Sequence, residues 1–218
     1  MFDGGDDKIV RPRVKICGIT RAADAGAAIE LGADALGFNF FPRSRRYVPI
    51  GERDWIAALP EDVAKVAVLV DPDWNEAMAA AALPAITALQ LHGQETPEFC
   101  RRLAEEAIRF AKALPVSDEA SVVEAPSFYT RTIMLDSARA GEFGGSGRAF
   151  RWELAREFIK ANPKLRVILA GGLTPENVAD AVALVRPFGV DVTSGVESSE
   201  RVKDHGLLRA FIAAARGA

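Results

Sequence analysis

The stretch VKICGIT, Val14 to Thr20, sets Cys17, one of only two cysteines in the chain, at the end of an apolar run and directly before a glycine. A free cysteine there is either a small buried filler or, where cations and helix N-termini favour the thiolate, a reagent aimed into a pocket. Lys15 stands two residues earlier and, with the period of two of a strand, points the same way. Further on, NFFPRSRRYV carries the densest basic cluster, Arg43, Arg45 and Arg46. Such a cluster is either a solvated loop or a guanidinium fork for a carboxylate or phosphate. His92 closes the motif QLHG, as a structural histidine or a hydrogen-bond donor. Asp136 ends the run MLD ahead of the long Gly-, Ser- and Ala-rich segment SARAGEFGGSGRAF. It reads as a turn aspartate or as a group beneath a loop that binds or closes over a ligand. Finally, LAGGLTPENV and DVTSGVE offer Gly171, Gly172, Ser194 and Gly195 at strand ends that lead into helix starts, where exposed backbone N–H groups cradle phosphate.

These residues need elements to hold them. Short apolar runs alternate with Ala-rich amphipathic stretches along the whole chain. The expected strands are Val14–Cys17, Ala35–Phe40, Lys65–Val70, Ile86–Leu91, Ile108–Ala113, Thr132–Leu135, Arg166–Ala170 and Val190–Thr193. Each is apolar on both faces and followed by Gly, Asp, Asn or Pro, as a buried parallel strand should be. RAADAGAAIELG ends on Gly32 as a helix C′ glycine, and ETPEFCRRLAEEA opens on Thr-Pro. TPENVADAVALV opens with Thr174 as N-cap and Pro175 at the first helical position. About eight βα units spaced at roughly 20 to 30 residues predict a single (β/α)8 TIM barrel in the α/β class, with a doubly wound open sheet as the alternative. Residues 1–12 read as a loose tail and 13–218 as one barrel domain. In a barrel, chemistry collects where strands end, and every residue singled out above, Lys15 excepted, lies at or just after such an end.

Composition narrows the function classes. Of 218 residues, 49% are hydrophobic and 26% charged, enough for one substantial core, and the net charge of −3 argues against a nucleic-acid partner. Two cysteines make no disulfide framework, and the acidic start MFDGGDDKIVRPR has no apolar signal core. No apolar run approaches the roughly 20 residues that span a bilayer, so no membrane partner is expected. The other histidine, His205, begins a C-terminal helix and is expected to be exposed; no second His or carboxylate stands at metal-ligand spacing, so no metal site is expected. The expectation is a soluble, reduced, cytoplasmic protein, monomeric because no surface stripe is obviously apolar.

Taken together, VKICGIT, LGFNFFPRSRRYV, LQLHG, MLDS with GGSGRAFRW, LAGGLTPENV and GVDVTSGVE followed by Lys203-Asp204 resemble the phosphoribosylanthranilate isomerases from Val14 to about Asp204. The resemblance implies a (β/α)8 barrel of tryptophan biosynthesis that carries out an Amadori rearrangement without a cofactor, on a phosphosugar substrate. It implies Cys17 as general base, Asp136 as general acid, and Arg46 facing the anthranilate carboxylate. Gly171, Gly172, Ser194 and Gly195 align with the phosphate turns, Asp191 with the strand-eight aspartate near the sugar phosphate, and His92 is taken as substrate-binding. The chain departs from the family pattern at Arg45, where proline is usual, at Arg151 before Trp152, and at Glu200-Arg201. Two other readings are a different phosphosugar barrel and a non-catalytic binder of small anions; the first lacks an obvious lysine–glutamate or metal set, and the second needs neither Cys17 nor Asp136.

Overall fold

The computed structural model describes residues 11–49, 52–116, 125–137 and 152–218. Eight parallel strands close into a ring: β1 Arg13–Cys17, β2 Ala35–Asn39, β3 Ala64–Leu69, β4 Ala88–Leu91, β5 Phe110–Pro115, β6 Thr132–Asp136, β7 Arg166–Leu169 and β8 Gly189–Val192. Sequential neighbours pair throughout, and β1 returns to β8 with Lys15 beside Asp191 in register. The helices are α1 Ala22–Glu30, α2 Asp54–Ala57, α3 Trp74–Ala81, α4 Pro97–Glu105, α5 Trp152–Ala161, α6 Val178–Val185 and α7 His205–Gly217. A small hairpin, β9 Glu197–Ser199 with β10 Val202–Lys203, follows β8 through a 3-10 turn. The closed parallel barrel is the expected architecture rather than the open sheet. Among the described residues no helix is long and apolar enough to cross a membrane.

Period two explains how the strands sort their side chains. Val14 and Ile16, Leu36 and Phe38, Leu89 and Leu91, Ile133 and Leu135, and Val190 and Val192 belong to the core between barrel and helices. The alternate positions belong to the interior of the ring, where Ala113, Met134, Ile168 and Ala170 form a separate small cluster. Lys112 is an exception on the outer face: between Phe110 and Leu114, its ammonium is buried against Glu95 at 2.8 Å and also donates to the Gly93 and Ala113 carbonyls.

Three differences from the expected elements have local causes. Strand β5 begins at Phe110 because Ile108 is spent on ending α4: its N–H donates to Leu103 O while the Ala107 N–H donates to Ala104 O. That pair of bonds is a Schellman ending with Ala107 in the left-handed region, φ 56°. Strand β4 starts at Ala88 because the Ile86 N–H is taken by a turn to Leu83 O. Helix α6 starts at Val178 rather than after Thr174: Thr174 to Asn177 form a turn, with Asn177 accepting from the Thr174 N–H at 2.8 Å and donating to Gly172 O at 2.9 Å, and the helix proper opens on the bond from Ala181 N–H to Asn177 O. The Gly32 ending of α1 (φ 96°), the Thr96 cap and Pro97 start of α4, and an exposed His205 at the head of α7 match expectation. Of the expected tail, residues 1–10 lie outside the described residues.

Helix α1 ends on the same pair of bonds, Ala33 N–H to Ala28 O and Gly32 N–H to Ile29 O, with glycine at the left-handed position where α4 has alanine. A Cβ there costs about 1 kcal/mol. Ala107→Gly is therefore expected to raise stability by about 0.5–1 kcal/mol in urea unfolding, and no gain in the midpoint would show that Ala107 is relaxed as it stands.

Candidate active site

The C-terminal ends of the strands surround a cavity of about 580 Å³. All nine residues singled out for a catalytic or binding role border it: Cys17, Arg46, His92, Asp136, Gly171, Gly172, Asp191, Ser194 and Gly195. Cys17 and Asp136 enter from β1 and β6, which are separated in the ring by β7 and β8. The segment 138–151, expected to form a functional loop after Asp136, lies outside the described residues.

On the β1 side, Cys17 is buried at the strand mouth. Below it Lys15 is wholly buried, with Nζ 2.6 Å from Asp191 Oδ1. Burial works against the Lys15 charge, but the charges of Asp191 and of an ionised Cys17 outweigh it and hold the ammonium above its ordinary pKa. Across from Cys17 in register, β2 offers Gly37. A Cβ there would sit 2.7 Å from Cys17 Sγ and 2.8 Å from Lys15 Nζ, so only glycine leaves room for both.

Asp136 is buried on the β6 side and pairs through Oδ2 with His92 Nε2 at 3.1 Å. His92 Nδ1 lies 2.7 Å from Gln90 Nε2. With the Gln90 amide donating, Nδ1 accepts and the imidazole carries its proton on Nε2, where it donates to Asp136. Gln90 Oε1 is buried without a hydrogen bond. Gly171, at φ 81°, abuts this group: a Cβ would come within 2.6 Å of Asp136 Oδ1 and closer still to Ser137.

The turns after β7 and β8 touch one another. A Cβ on Gly195 would overlap the Leu173 carbonyl, which brings the Gly171–Gly172 turn and the Ser194–Val196 3-10 turn together at one edge of the cavity. Two such small-residue turns side by side suit a phosphate.

Arg46 differs from expectation in having an internal carboxylate. Its Nε and Nη2 donate to Glu197 Oε1 and Oε2 at 2.7 and 2.6 Å, a bidentate fork. Lys203 Nζ donates to the same Glu197 at 3.1 Å and to Thr193 O at 2.8 Å. Hydrogen bonding to Glu197 holds Arg46 above its ordinary pKa despite burial, whereas burial pulls Lys203 below its own. Burial pushes the Glu197 carboxyl up, but its bonds to Arg46 and the charge of Lys203 overcome that and keep it below the ordinary carboxylate value. Arg45 pairs with Glu200 and Arg43 lies over the Phe41 ring, both at the rim.

Sequence reasoning did not single out Gln90, Gly37, Glu197 or Lys203 for the site. Period two on β4 could have flagged Gln90 as an inward polar side chain. The partnership of Glu197 with Arg46 spans 151 residues and had no local signal. Because the folded-state carboxyl of Glu197 is lowered, its stabilisation is present above the ordinary value of 4.5 and is lost as pH falls through the folded value. Glu197→Gln is expected to be less stable at neutral pH but to lose less additional stability between neutral and strongly acidic pH. Urea midpoints across that range check this, and parallel curves for the two proteins would refute it.

Comparison with known proteins agrees with this geometry. Residues 14–214 match the family described as N-(5'-phosphoribosyl)anthranilate (PRA) isomerase. The N-(5'-phosphoribosyl)anthranilate isomerase of Thermotoga maritima is 42% identical over 207 residues, covering 94% of this chain and 98% of the relative. The one from Desulforudis audaxviator is 45% identical over 208 residues, with the same coverage. The crystal structure of the Thermotoga maritima phosphoribosyl anthranilate isomerase superposes with a TM-score of 0.86 at 40% identity, covering 95% of this chain and all of that one. A second structure of such an isomerase, in complex with reduced 1-(o-carboxyphenylamino)-1-deoxyribulose 5-phosphate, has a TM-score of 0.82 at 39% identity, with 95% and 100% coverage. By these measures the chain belongs to the N-(5'-phosphoribosyl)anthranilate isomerase family.

Proposed function

We propose that Cys17 and Asp136 are the general base and general acid by which this chain converts N-(5'-phosphoribosyl)anthranilate to 1-(2-carboxyphenylamino)-1-deoxyribulose 5-phosphate in tryptophan biosynthesis. The observation that carries the assignment is that both groups border one cavity whose rim also holds an arginine and two small-residue turns. In this reading the sugar phosphate rests on Gly171–Gly172 and Ser194–Gly195. The anthranilate carboxylate meets Arg46, whose Nη1 is the edge left once Nε and Nη2 are committed to Glu197.

The chemistry needs one proton in and one out. Asp136, in its acid form, protonates the furanose ring oxygen; the C1′–O bond breaks and the anilino nitrogen lone pair forms the Schiff base. Cys17, as thiolate, removes the C2′ proton and the electrons of that bond move toward the iminium nitrogen, giving an enolamine. Its tautomer, protonated at C1′, is the ketone product. Acid–base catalysis suffices for each step. His92 orients Asp136 through Oδ2, and Asp191 lies where a sugar hydroxyl would reach it.

A cytoplasmic monomer fits the same reading. Both cysteines are free and buried, and Tyr129 is the single large hydrophobic side chain that is strongly exposed among the described residues.

Cys17→Ala and Asp136→Asn are each expected to lower kcat by about 10²–10⁴-fold while leaving product-analogue affinity largely intact. Turnover is followed by the loss of substrate fluorescence. Undiminished turnover in either variant would remove the corresponding assignment, and tight binding by the wild-type protein without any product would favour a non-catalytic binder.

A further inference from the structure

Lys15 is a buried titratable group that the acid–base scheme leaves unused. Its side chain has no solvent exposure, so the ammonium is out of reach of a substrate in the cavity above. A fully buried cation is nonetheless costly to retain without a partner. Asp191 answers part of that cost at 2.6 Å. The other side of the ammonium faces the notch left by Gly37, and Cys17 Sγ faces the same notch: one added carbon would touch both. No side chain of β2 therefore screens the sulfur from the ammonium.

Among the described residues, two other cations stand near Cys17, and both have a partner. Arg46, from the segment after β2, and Lys203, from β10, also lie where an ionised Cys17 would strengthen their charge. Both are bonded to Glu197, however, which is committed to them as a shared counter-ion. Strand β8 contributes Asp191, and β2 faces the thiol with Gly37. Among the described residues, Lys15 is thus a cation beside Cys17 that is not committed to Glu197, and it lies on the inner side, away from solvent screening.

We propose that Lys15 is a positioning residue for catalysis: its ammonium, fixed by Asp191, is the counter-cation that favours the thiolate form of Cys17. The proposal rests on the reading of Cys17 as the base. Asp191 then serves two purposes, holding Lys15 in the barrel interior and presenting its remaining oxygen toward the cavity it borders.

Alkylation by iodoacetamide reads the thiolate of Cys17 directly, independently of any catalytic role. Cys100 is silent in this assay, because it is wholly buried and burial pushes its thiol up to about 12. Lys15→Met removes the charge while keeping the apolar stem. Because that variant leaves Asp191 buried without its partner, Lys15→Met/Asp191→Asn removes the pair together and guards against a failure to fold. In either variant that retains the wild-type circular dichroism, alkylation at pH 7 is expected to slow about tenfold or more, with its pH midpoint moved upward. Turnover of Lys15→Met should recover toward the wild-type value as pH rises, which a purely structural defect would not produce. Folded variants with the wild-type alkylation profile would overturn the proposal. Failure of Cys17 as the base shows itself separately, as full turnover in Cys17→Ala.

Discussion

The barrel is closed across a buried ion pair. Lys15 on the first strand and Asp191 on the last are register partners, so their bond spans the seam where the ring joins its own beginning. Hydrogen bonds between backbones do not by themselves choose among registers, because every slip of a parallel ladder preserves most of them. The ion pair does choose. A slip of one residue would turn Lys15 into the apolar layer beneath the helices and leave the Asp191 carboxylate buried alone. Removing one partner of a buried pair costs about 3–5 kcal/mol, a large fraction of the stability of a typical domain. The residues that border the cavity from β1 and β8 inherit their positions from that seam.

Outside the ring the same device recurs in a different place. Lys112 and Glu95 pair beneath α4, and Glu95 also accepts from the Asp71 and Gly93 N–H groups. That carboxylate ties the loops after β3 and β4 to β5. Glu197 does the equivalent on the other side of the mouth, joining the Arg46 loop to the β9–β10 hairpin. Loops at the mouth of a barrel have few apolar contacts to hold them, and charge-assisted forks to buried carboxylates supply the missing rigidity. The cost is that Arg46 reaches any ligand with one edge already occupied, so an incoming carboxylate meets a guanidinium whose orientation is fixed beforehand.

Much of this was legible in the residues. Two-sided apolar runs located all eight strands to within two residues at their starts, because a parallel barrel buries both faces. The site residues at strand ends were legible for the same reason: a polar or small residue that interrupts such a run marks the place where the chain leaves the barrel. Where the reading missed, a backbone partner had been taken by something nearby. Ile108 is β-branched and reads as strand, yet its N–H completes the ending of α4. Thr174-Pro175 has the form of a helix start, yet both the Asn177 and Val178 N–H groups turn back onto Thr174 O and the helix proper follows. Long-range electrostatic partners such as Glu197 and Arg46 leave no periodic trace, and Gly37 reads as an ordinary strand residue until its neighbours are known.

Cys17 and Asp136 are held by different means, and that difference follows from where each sits. Cys17 stands at the seam, with Lys15 below it and Arg46 and Lys203 to the side. Asp136 stands on β6, with one oxygen paired with His92 Nε2 and the other against the backbone of Gly171. The Gln90–His92 bond holds the imidazole in place, so the histidine orients the carboxyl. The amide–imidazole pair thereby sets the orientation of the carboxyl at the edge of the cavity that all three residues border.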